Sequence, residues 1–215
     1  MEIEEALNGG DMAITREQFE KVRSELGEHT SWAVWSSVGE KPKSNVGDLS
    51  IFNDEEKLTT TLKKLNPNIV LAGLNGSIGD ITETSGVTHF ANFHSSWSRA
   101  TDYKIRFATV GTALEGAFMT DIIKHHYETD STIVGRDLRK NPEYERFKVE
   151  EFFDEITKFS RTPIIFAFGG MGYELIKKYN SGRFEVHKLY HYAFTMSKEK
   201  FREETIKTLA IAGLV

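Results

Sequence analysis

Asparagine, aspartate and histidine each stand where an apolar run meets a polar or glycine-rich turn. "NIVLAGLNGS" runs into Gly73, Asn75, Gly76 and Ser77, and "AFMTDIIK" (117–124) carries Thr120 and Asp121. "TPIIFAF" (162–168) leads into Gly169 and Gly170, and the last apolar stretch reaches His191 and Tyr192. An amide donates and accepts, a carboxylate only accepts, and an imidazole does either. Such a set suits recognition of a polar ligand and stabilisation of charge as it reacts. Each residue also has a plainer reading. Asn75-Gly76 is a common turn pair, Asp121 could cap a helix or pair with Lys124, and His191 could be a hydrogen-bonded core histidine. The stretch "THFANFHSSW" (88–97) reads as a hydrophobic lid or a stacking platform, while Phe90 and Phe93 taken singly could equally be core.

Positioning these residues requires regular elements. "TREQFEKVRSEL" reads as a short helix with Thr15 as its cap, "SWAVWSS" (31–37) as a strand, and 39–48 as a loop. From residue 54 helices and strands alternate: "DEEKLTTTLKKL", "NIVLAGL", "RATDYKIRFATV", "GAFMTDII", 143–159, "TPIIFAF", "GYELIKKY", "RFEVHKLYHYAF" and "KEKFREETIKTL". The 143–159 helix is amphipathic, with Phe147, Phe152, Phe153 and Ile156 predicted to face inward. Residues 125–142 read as a mobile loop. Alternation of this kind implies parallel strands joined by right-handed crossovers. The expected fold is α/β, a three-layer α/β/α sandwich around a short, mostly parallel four-stranded sheet. Residues 1–50 read as an N-terminal extension packed on a core domain spanning 51–215. Ligands of such sheets collect beyond the C-terminal strand ends, where the polar residues above converge.

Composition narrows the chemistry. The 215 residues are 39% hydrophobic and 12% aromatic, enough for a sizeable core. There is no cysteine, which removes disulfides, thiolate metal sites, cysteine nucleophiles and iron–sulfur clusters. No apolar run nears membrane-spanning length and no signal-like segment opens the chain, so a cytoplasmic protein is expected. A net charge of −5 disfavours a broadly basic surface but leaves room for a local basic groove.

Familiar motifs fail. "FGGMGYEL" (168–175) has Leu175 where a dinucleotide-binding loop needs its third glycine. There is no phosphate-binding loop with its lysine and no serine-nucleophile elbow. His187 and His191 share a strand face and His125 and His126 adjoin, but neither pair has a carboxylate at ligand spacing. No cofactor or metal is expected.

The order of the elements resembles the uracil-DNA glycosylase superfamily over roughly residues 66–208. "GLNGS" (73–77) is similar to the family's first motif, placing Asn75 at the catalytic position, with Gly73, Leu74, Gly76 and Ser77 around the base. The resemblance implies that Phe90, or failing it Phe93, stacks on an extruded base. "AFMTDIIK" resembles a strand whose asparagine reads the base edge, and Asp121 stands there instead. "VHKLYHYA" (186–193) aligns with the strand leading to the second motif, His191 matching its histidine. Gly76 replaces the usual proline, and Tyr192-Ala193 replace Pro-Ser.

The implied activity is hydrolysis of the N-glycosidic bond of a flipped damaged, deaminated or modified base in single- or double-stranded DNA, by a monomer. His191 would donate to a base oxygen as negative charge develops, and Asn75, which does not titrate, would only orient a water. An ionised Asp121 favours an amino or ring N–H group over a carbonyl, so the base is expected not to be ordinary uracil, or to be weakly discriminated. Lys124, Arg136, Arg139, Lys140 and Tyr192 are the expected DNA contacts, with Lys188 and Lys198 further along. Two alternatives stand beside this: a weakly active or inactive nucleic-acid binder of the same fold, and a hydrolase of free nucleosides or nucleotides.

Overall fold

The computed structural model describes residues 14–76, 88–126, 128 and 131–215. In chain order the elements are α1 (Arg16–Leu26), β1 (Thr30–Trp32), α2 (Ser50–Asn53), α3 (Glu55–Leu62) and β2 (Asn66–Asn75). They continue as α4 (Tyr103–Thr109), β3 (Ala117–Ile123), α5 (Ser131–Lys140), α6 (Pro142–Ile156) and β4 (Ile164–Phe168). The chain closes with α7 (Gly169–Asn180), β5 (Val186–Leu189) and α8 (Lys198–Ile211). Local chemistry sets several helix starts. Thr15 and Gln18 form a reciprocal capping box on α1, Asp54 accepts from two backbone N–H groups of α3, and Asn141 with Pro142 opens α6.

The strands form one sheet in the order β1-β3-β2-β4-β5. β3, β2, β4 and β5 run parallel, and β1 pairs antiparallel with β3 from Thr30–Thr120 to Trp32–Phe118. The sheet thus has five strands, one more than expected. The fifth comes from the N-terminal region, where three buried residues supply an edge strand and Val34 already turns back onto the Trp32 carbonyl.

Alternate residues of the strands enter two separate cores, which makes three layers. Val70, Ala72, Ile165 and Ala167 pack under Phe19 and Val22 of α1, Phe152 and Phe153 of α6 and Ile176 of α7. Ile69, Leu71, Met119 and Phe166 pack on the other face against Ile105 of α4 and Phe201 and Leu209 of α8.

Three expectations are corrected. Residues 131–140 are helical rather than loop, since Val134 and Leu138, one turn apart, are both buried and give the segment an apolar stripe. Phe147 is 60% exposed, and Val149 takes the inward place. The last strand stops at Leu189, leaving His191 and Tyr192 in the turn that follows.

Candidate functional site

A cleft of about 690 Å³ opens at the C-terminal ends of β2 to β5. Asn75, Asp121, Phe93, His191 and Tyr192 all line it, as do Gly73, Leu74 and Gly76. Ser77, also expected at the base, lies outside the described residues.

The floor is set by strand register. Gly73 of β2 stands opposite Asp121 of β3. A Cβ at residue 73 would lie 2.1 Å from Asp121 Oδ1 and 3.1 Å from Phe93 Cζ. Glycine here admits the carboxylate and the aromatic ring together, a close approach that needs no unusual backbone angle. Asp121 is buried, and its Oδ2 accepts from Asn92 Nδ2 at 2.8 Å. The same Asn92 nitrogen donates to the His29 carbonyl at 2.8 Å, tying the 88–97 loop to the strand edge.

Asn75 serves the backbone as well as the cleft. Its Nδ2 donates to the carbonyls of Gly76 (2.9 Å), His126 (2.9 Å) and Glu128 (2.7 Å), so the end of β2 is clamped to the segment after β3. With its nitrogen so directed, the side chain turns its carbonyl oxygen the other way.

The aromatic loop sends its two phenylalanines to opposite faces, each from a left-handed backbone position with φ of 63°. Phe90 is fully buried against Phe19 and Phe52, with ring centroids 5.2 Å apart in both cases. It is a core residue and does not line the cleft, contrary to its expected role as the stacking ring. Phe93 forms the wall instead, packed near Phe168 and Tyr192.

The adjoining wall is the turn after β5 and the start of α7. His191 Nδ1 accepts the Ala193 backbone N–H at 3.1 Å, which places the proton of a neutral ring on Nε2. Burial pushes the His191 pKa below the ordinary histidine value, so the ring is neutral at pH 7. Tyr192 stacks on it at 4.5 Å. Gly169 begins α7 at φ 81°, a conformation that favours glycine, and Gly170 faces open space.

Several expected DNA contacts lie elsewhere. Lys124 is buried, 6% exposed: it pairs with Glu155 Oε2 at 3.1 Å and donates to the Asp121 carbonyl at 2.8 Å. Its charge is consumed inside the fold, where Glu155 also accepts from Thr120 Oγ1 at 2.6 Å. Arg136, Arg139 and Lys140 are exposed on α5, outside the cleft lining, with Arg136 and Lys140 both near Asp137.

Several lining residues escaped the sequence reading, among them Asn92, Trp97, Arg99, Asp102 and Phe194. Asn92 was the one carboxamide within a stretch noted for its aromatics. Trp97 is 55% exposed at the rim with the Arg99 guanidinium 5.7 Å from its ring, and Phe194 is similarly exposed across the mouth. Among the described residues no group of three or more His, Asp or Glu side chains is placed to hold a metal ion, and no helix is long and apolar enough to cross a membrane. Compared with known proteins, the chain matches no family model, no curated protein and no solved structure.

Proposed function

We propose that the chain binds a nucleobase turned out of DNA in this cleft and hydrolyses its N-glycosidic bond. The observation that carries the reading is the convergence of Asn75, Asp121 and His191, three polar residues far apart in sequence, on one cleft walled by Phe93. Bond cleavage leaves negative charge on the departing base. A neutral His191 with its proton on Nε2 can donate to a base oxygen as that charge grows. The first turn of α7 adds a positive dipole end on the same side of the cleft. Asp121 and Asn92 would read the base edge, and the exposed rings of Trp97 and Phe194 at the mouth suit stacking by neighbouring unpaired bases. The likeness of "GLNGS" and "VHKLYHYA" to glycosylase motifs points the same way.

One observation favours a second reading, a binder without catalysis. The Asn75 amide is engaged by three backbone carbonyls, the signature of a structural clamp. Incubation with labelled oligonucleotides followed by hot alkali separates the two. The hydrolase leaves alkali-labile abasic positions, whereas the binder gives only a mobility shift.

A further inference from the structure

The hydrogen-bonding groups at the ends of β2 and β3 differ in character from those at the ends of β4 and β5. Both amide hydrogens of Asn92 are committed, one to the His29 carbonyl and one to Asp121 Oδ2. Those of Asn75 are shared among three backbone carbonyls. Every one of these partners can only accept, so the nitrogen and oxygen of both amides are assigned without ambiguity. Asn75, Asn92 and the Asp121 carboxylate therefore bring acceptor character to the β2–β3 side.

The β4–β5 side has the opposite character. His191 holds its proton on Nε2 because Nδ1 accepts from Ala193. The first N–H groups of α7, from Gly169 onward, have no partner within the helix. A ligand lying between Asp121 and His191 thus meets acceptors at one end and a donor at the other.

We infer that the cleft selects an aminopyrimidine of the cytosine class, its exocyclic amino group toward Asp121 and its 2-carbonyl toward His191. Uracil and thymine carry a carbonyl at both ends, and one of them would face the Asp121 carboxylate, acceptor against acceptor. Adenine has the amino group but no carbonyl for His191. The inference rests on the cleft being a nucleobase site, and it names the base.

The test is equilibrium binding of short single-stranded oligothymidylates that differ at one central position. A strand with deoxycytidine is expected to bind on the order of tenfold tighter than one with deoxyuridine. Replacing the base by N4,N4-dimethylcytosine, which lacks the amino hydrogens, should remove the advantage without altering the protein. In Asp121→Asn the preference should vanish or invert, because an amide can donate to the uracil carbonyl. Equal or tighter binding of the deoxyuridine strand by the parent would overturn the inference. So would undiminished binding of the dimethylated strand, a preference for deoxyguanosine, or no binding by any strand. Base release is a separate readout: a parent that prefers the deoxycytidine strand but frees no base would overturn hydrolysis while leaving the base assignment standing.

Discussion

Gly73 and Asp121 stand side by side in register on β2 and β3, and the Asp121 carboxylate occupies the space that a side chain at residue 73 would take. Gly73→Ala should therefore destabilise the chain by about 1–3 kcal/mol, the usual cost of overpacking. The diagnostic is a double-mutant cycle in urea. Asp121→Gly in the Gly73→Ala background should recover much of the loss, because the clash is with that carboxylate. Additive losses would mean the two positions do not share space.

Asn75→Asp tests whether residue 75 is chiefly a clamp or chiefly a catalyst. From the sequence alone, a carboxylate here looks like the stronger catalytic group. In the fold it would turn acceptor oxygens toward the carbonyls of Gly76, His126 and Glu128. The variant should lose about 1–3 kcal/mol of stability by denaturant unfolding and gain no base-release rate.

Lys124 offers a contrast with a surface DNA contact. Lys124→Met leaves Glu155 charged and buried, a loss of about 3–5 kcal/mol, and Lys124→Met with Glu155→Leu should restore most of it. A DNA-contacting lysine would instead leave the urea midpoint unchanged and weaken binding. Unfolding curves of the two variants distinguish these outcomes.

These contacts mark how far the sequence could be read. Thr15 with Gln18, Asp54 before α3 and the alternation of apolar runs were legible because caps and periodicity are local. The meeting of Asn75, Asp121 and His191 followed from parallel topology, which sends every strand end to one edge. Phe90 and Phe93 were not separable, because identical rings three residues apart are sent to opposite faces by backbone turns that composition does not encode. The same holds for Lys124, whose partner Glu155 lies on a distant helix, and for β1, whose pairing with β3 is non-local. The α5 segment was hidden by its turn-forming residues, since only Val134 and Leu138 mark its inward face.

Acid should destabilise the fold through buried histidines. Burial pushes the His94 pKa from 6.5 to about 4, and burial likewise lowers those of His191 and His29. An unfolded histidine takes up a proton near pH 6.5, whereas folded His94 resists until about pH 4. The unfolded chain thus binds more protons in that window, and stability falls as the pH drops through it, by on the order of 3 kcal/mol for His94 alone. Urea midpoints measured from pH 7 to pH 4 should fall, and His94→Gln should flatten the slope.

Chromatography of the small-molecule products tests most directly whether the cleft breaks an N-glycosidic bond. Under excess protein, a single-stranded oligonucleotide with one central deoxycytidine should yield free base matched by an equal amount of abasic strand. His191→Ala should lower the rate by about a hundredfold or more, the scale of losing a group that stabilises developing charge. Tight binding with no free base from any oligonucleotide, or release that persists undiminished in folded His191→Ala, would contradict the account.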